Sequence, residues 1–200
     1  MYEKAEMKLF EETITDFSKS QEDIEEYIKY FKRRKIDYTE DVLIKTIKNS
    51  KVKNEIFFSI LALRNIGTDK SIPILKKSCF YKNQDSQSNS ILTINQIAKE
   101  TETEFYGNCL LDARYKQKGY ALWALVANSN GNAIEQVTEF LQKQLKKQDD
   151  NMGYISTSIC YLNRYKDYEP EINKIFEKVK KRFSKFNSNT QKYIESLEKI

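Results

Sequence analysis

Histidine is absent from this chain of 200 residues, and that absence excludes more chemistry than any residue present admits. Without imidazole there is no histidine general base, proton shuttle or metal ligand, so Ser-His-Asp and Cys-His catalysis and most zinc chemistry fall away. Glycine and proline are scarce, at five and two residues, against average shares of roughly 7% and 5%. A chain so poor in turn formers and helix breakers is expected to be helical. The three cysteines, Cys79, Cys109 and Cys160, are odd in number, widely spaced and without a CxxC pair. They are expected as reduced core residues rather than a disulfide framework or a thiolate site. No apolar run approaches the roughly 18 residues of a membrane span. The opening stretch, 1–19, mixes acids and lysines with Leu9, Phe10, Ile14 and Phe17, unlike a secretory leader. The expectation is a soluble, cytoplasmic protein forming a single domain over 1–200, since no Pro, Gly or Ser-rich stretch divides it.

What is present in quantity is charge, unevenly spread. Residues 1–27 carry nine acids and three bases, whereas residues 28–82 carry fourteen bases and five acids. An acidic arm therefore precedes a basic block that includes Lys32, Arg33, Arg34, Lys35, Lys45, Lys48, Lys51 and Lys53. Two readings stand side by side: a surface facing an acidic protein or a phosphate backbone, or the solvated face of a lysine-rich helical protein. Lysine dominates over arginine and no Gly-rich phosphate loop accompanies the block, which favours the plainer one.

The apolar pattern repeats. Ser59, Ala62 and Leu63 match Ser90, Thr93 and Ile94, and these match Ala121, Ala124 and Leu125, each at a shift of 31. Ile155, Ser158 and Ile159 follow after 34. Between these copies run apolar stretches of helical spacing opening at Thr39, Lys70, Thr101, Asn132 and Glu169. Two helices of about 11 to 15 residues fill such a period, so the unit is a helical hairpin. Small residues three apart form a shallow strip that lets a neighbouring helix approach closely. One hairpin cannot bury both faces, and stacking several does. The expected organisation is a pair of amino-terminal capping helices in 1–35, hairpins across 38–168, and a closing helix pair in 169–200 whose last helix follows a turn at Asn187 to Thr190.

Segments such as IFFSILALRNIG (56–67) followed by SIPILKKSCF (71–80), and YALWALVA (120–127) followed by 133–145, resemble HEAT repeats, a degenerate armadillo-type member. The resemblance covers roughly 38–183. It implies an all-α fold, a right-handed α-α superhelix of about four to five hairpins with capping helices at both ends. In that family an Asp often marks the turn before the second helix, matched here by Asp85, Asp112 and Asp150. The family's basic residue at the start of the second helix is matched by Lys118.

The functional expectation is a non-enzymatic protein-binding module whose second helices line a concave face, with Lys53, Arg64, Asn95, Gln96, Tyr115, Lys118, Tyr161 and Arg164 as candidate contacts. Seven tyrosines in the second half, Tyr106, Tyr115, Tyr120, Tyr154, Tyr161, Tyr165 and Tyr168, suit a groove for a protein helix or peptide. One form this takes, by analogy alone, is a bacterial immunity or regulatory protein that masks a toxin or enzyme. The alternative is a nucleic-acid-binding HEAT-like protein, a DNA glycosylase among the possibilities, using the basic block 30–82. Such an enzyme would need an aromatic residue and a carboxylate beside that block. Trp123, between Ala121, Leu122, Ala124 and Leu125, reads instead as a packing residue, and Asp112 with Arg114 as part of a turn. The adjacent acid pairs Glu11 with Glu12, Glu25 with Glu26, and Asp149 with Asp150 point about 100° apart on a helix and converge on no ion. No metal and no cofactor are assigned.

Overall fold

The computed structural model describes residues 38–128, 130–147 and 153–198. The expected capping helices in 1–35, and Asp149 and Asp150, lie outside the described residues. Those described fall into two compact units, divided between Lys99 and Glu100. Regular structure among them is helical throughout.

In the first unit, α1 (Tyr38–Asn49) runs against α2 (Lys53–Ile66), and α3 (Ile72–Ser78) against α4 (Gln84–Ala98). The local reasons are visible in the residues. Helix α1 has Glu40 and Asp41 in its first turn and Lys48 in its last, matching the helix dipole at both ends. Pro73 lies in the first turn of α3, where the missing N–H costs nothing. Asn83 caps α4, its side-chain oxygen accepting from the N–H groups of Asp85 and Ser86 at 2.8 and 3.2 Å. Asp85, expected in the turn, is thus in the helix's first turn because Asn83 is the better-placed cap. The two hairpins form two layers, α1 beside α3 and α2 beside α4.

The second unit repeats the arrangement with α5 (Thr103–Leu111), α6 (Lys118–Ala127), α7 (Ile134–Gln144), α8 (Tyr154–Asn163), α9 (Pro170–Lys181) and α10 (Ser188–Glu198). Helices α5, α7 and α9 lie side by side in one layer, and α6, α8 and α10 in the other. Asn187 caps α10 by accepting from the Thr190 N–H at 2.9 Å, so the helix begins inside the expected turn.

The small strip is the packing seam of the second helices. Ser59, Ser90, Ala121, Ala124, Thr93 and Ser158 have no exposed surface, and Ala62 has 1%. The adjacent Leu63, Ile94, Leu125 and Ile159 are buried beside them. Burying a side chain of the size of Leu63 or Ile94 stabilises by about 1.5–3 kcal/mol.

Hydrogen bonds tie consecutive hairpins at chain separations from 25 to 38 residues. In the first unit Thr93 donates to the Ile60 carbonyl at 3.2 Å and Tyr81 to that of Ile47 at 3.4 Å. Buried Glu40 on α1 accepts from the Thr68 N–H at 2.8 Å and from the Ser71 hydroxyl, fixing the turn into α3. In the second unit the Ala133 N–H donates to the Tyr161 hydroxyl at 3.3 Å, and Asn130 to the Glu100 carbonyl at 2.8 Å.

Candidate functional site

The expected contact residues are scattered over both units. On α2, Lys53 is exposed at the first residue, while Arg64 is half-buried near the last turn and donates to Asn89 on α4 at 2.6 Å. Asn95 is half-buried and Gln96 exposed towards the end of α4. Tyr115 and Lys118 come together in the turn between α5 and α6. The Lys118 ammonium donates to the carbonyls of Cys109 and Asp112, both at 2.6 Å, and sits 5.7 Å from the Tyr115 ring centre. These are carbonyls of the end of α5, so Lys118 caps that helix. On α8, Tyr161 faces inward; Arg164, the residue just after that helix, is exposed and donates to the Val126 carbonyl at 2.6 Å.

Tyr115 and Tyr161 have no exposed surface and are core residues, as is Tyr106. Aromatic rings at helical spacing give no sign of which face they take, which is why their burial was not legible beforehand. Tyr120 and Tyr168, by contrast, are 41% and 81% exposed. Cys79 and Cys109 are buried, whereas Cys160, expected in the core, is half-exposed beside Tyr193.

Trp123 overturns its reading as a packing residue: half of its surface is exposed, at 50%. The geometry of α6 explains why. Successive residues turn by about 100°, so Ala121, Leu122, Ala124 and Leu125 fill one arc, and Tyr120, Trp123 and Ala127 the opposite one. All four of the first set are fully buried, and all three of the second are exposed. After Lys118 this helix has no charged side chain, and a helix apolar on every side is ordinarily buried on every side. The exposed arc is thus an aromatic surface on the α6, α8 and α10 layer. The repeat itself held the signal: assigning Ala121, Ala124 and Leu125 to the buried seam leaves Trp123 no place but outside.

Electrostatics around the α5–α6 turn are local. Arg114 grips Asp112 through Nη2 at 2.6 Å and Nε at 3.1 Å, and holds its carboxyl down at about 2. Burial pulls Lys118 down to about 8, while the Cys109 and Asp112 neighbourhood works in the other direction. Burial likewise pushes Tyr161 up to about 12. Of the basic block, Lys45, Lys48, Lys51 and Lys53 are exposed, and Lys70 pairs with Asp41 at 2.6 Å. Lys32 to Lys35 lie outside the described residues. Among the described residues no His, Cys, Asp or Glu group is arranged to hold a metal ion, and no helix is long and apolar enough to cross a membrane.

A scan against protein-family models, a search of curated proteins and a search of solved structures each returned no match for this chain.

Proposed function

We propose that this chain is a cytoplasmic, non-enzymatic interaction module of HEAT-like build, and that it recognises a protein partner on the α6, α8 and α10 layer of its second unit. The observation that carries the reading is Trp123, half-exposed with Tyr120 on an otherwise uncharged stretch of helix. Tryptophan, tyrosine and arginine are the side chains that dominate binding energy at protein interfaces. Arg164 is exposed at the C-cap of the neighbouring α8 and already fixed by its bond to Val126, so it presents a rigid charge beside an aromatic surface. Rigid anchors lose little entropy on binding.

Support for a role outside catalysis comes from the sequence, which supplies no imidazole, and from Asp112, whose carboxylate is committed to Arg114 in an exposed turn. A regulatory or immunity-type protein, masking a toxin or an enzyme, is the form of module that fits this size and surface.

The test is affinity capture from the source cell with the wild-type chain and with Tyr120→Ala/Trp123→Ala in parallel. A protein retained by the first and lost by the second supports the reading. Retention unchanged by the double variant contradicts it. A low-salt shift of labelled DNA, abolished by reversing Lys45, Lys48 and Lys53, would favour nucleic-acid binding by the basic block instead.

A further inference from the structure

The second unit has a surface that the aromatic face does not explain. Its first-layer helices α7 and α9 both end on the same side, and a groove of about 530 Å³ opens between their ends. It is lined by Gln142, Leu145, Lys146, Lys178, Lys181 and Arg182. Exposed Glu139 and Glu177 nearby are already paired with Lys143 at 2.5 Å and Lys180 at 3.6 Å. Lys146, Lys178 and Lys181 make no ion pair with any described residue. In sequence the two stretches concerned, 139–151 and 177–185, hold eight bases against four acids, Glu139, Asp149, Asp150 and Glu177.

The helix dipole accounts for a cation or two in each last turn, but Lys146, Lys178, Lys181 and Arg182 gather around one groove with no acid in its lining. The result is an electropositive groove. Its donors decide what it suits. Phosphate is ordinarily held by backbone N–H groups at helix N-termini and by arginine forks. Here both helices present their carboxyl ends, and the single guanidinium, Arg182, is anchored through Nη2 to the Lys147 carbonyl at 2.8 Å with its Nε buried. What remains is long lysine arms, flexible point charges on aliphatic stems, around the side chain of Leu145. Such a groove complements carboxylates carried on a segment that also offers an apolar side chain.

We propose that the groove between the ends of α7 and α9 binds a glutamate- and aspartate-rich segment of a protein partner. It is a separate surface from the Trp123 face, and the two stand or fall independently.

The probe is a short fluorescein-labelled peptide of glutamates with two leucines, titrated by anisotropy against the full chain at low and high salt. The expected result is binding at low salt that weakens as salt rises, and that falls by roughly tenfold in Lys178→Glu/Lys181→Glu. Lys178→Gln/Lys181→Gln should show a smaller loss in the same direction, and thermal melting monitors whether either variant is folded. Lys192→Glu, an exposed cation on α10, and Trp123→Ala should leave peptide affinity unchanged. Absence of binding at low salt overturns the proposal, as does an equal loss with Lys192→Glu. Tighter binding of labelled oligothymidylate, lost on the same reversal, also overturns it, by making the groove a nucleic-acid surface.

Discussion

The carboxylate of Glu40 on α1 accepts the backbone N–H of Thr68 at 2.8 Å, twenty-eight residues further along the chain. It takes the Thr68 and Ser71 hydroxyls as well, and Glu40 itself is 5% exposed. One side chain thus fixes the entry of the second hairpin onto the first. Glu40→Ala removes every one of these acceptors and should destabilise the chain by about 2–3 kcal/mol, with Glu40→Gln retaining part of the bonding and costing less. Denaturant melts of both variants check this. A change under about 0.5 kcal/mol for the alanine variant, the scale of an ordinary surface substitution, would mean the contact contributes nothing.

The two arcs of α6 make opposite demands on substitution. Ala124 is fully buried in the small strip, so Ala124→Leu must force extra atoms into a filled seam and should cost about 1–3 kcal/mol or more. Trp123→Ala, one residue away, should cost about 1–2 kcal/mol, well below the roughly 3–5 of a fully buried tryptophan, because half of that side chain is already in water. Thermal denaturation of the pair is decisive. A loss of about 3–5 kcal/mol for Trp123→Ala would put Trp123 in the core after all.

Two backbone positions should respond with opposite signs. Gly131 has φ of +74°, which favours glycine, and an added Cβ would also meet the Tyr165 ring at 3.3 Å. Gly131→Ala should therefore cost about 1 kcal/mol or more. Lys99 has φ of 49° without being glycine, so Lys99→Gly should stabilise, by up to about 1 kcal/mol. The same melts measure both, and a shared sign would contradict the strain argument.

Lys118 and Tyr161 give the pH dependence a shape. Burial lowers Lys118 to about 8 from its ordinary 10.5, so between those values the unfolded chain binds more protons and stability rises with pH. Burial raises Tyr161 to about 12 from 10.0, so above 10 the folded chain holds the extra proton and stability falls. Asp112, held at about 2, contributes stability above 3.8 that is lost as pH falls towards 2; its exposed position makes that contribution small. Denaturant curves from pH 7 to 10 should show a rise that disappears in Lys118→Met. A wild-type slope unchanged by that substitution would count against the burial of Lys118.

Much of the fold could be read before any coordinates. Ser59, Ser90 and Ala121 mark three second helices at equal intervals, and each sits in the buried seam because small size has one physical use there. Helix starts near Thr39, Lys70, Thr101, Asn132 and Glu169 lie within a few residues of those observed. The surface was far less legible. Tyr115 and Tyr161 fit an interface by type yet are wholly internal, since hydrophobic period places a residue on a face without saying which partner helix covers it. Trp123 was misplaced for the complementary reason: apolar neighbours imply burial only when the helix has neighbours on all sides. Arg164 and Arg182 reach carbonyls 38 and 35 residues away, contacts that no local pattern encodes.

Trp123 is the only tryptophan in the chain, so its fluorescence reports the proposed interface without labelling. The free protein should be readily quenched by acrylamide, and titration with the partner recovered by affinity capture should shift the emission to the blue and protect it from the quencher. Saturating, full-affinity binding of that partner with no change in Trp123 emission or quenching would contradict the account.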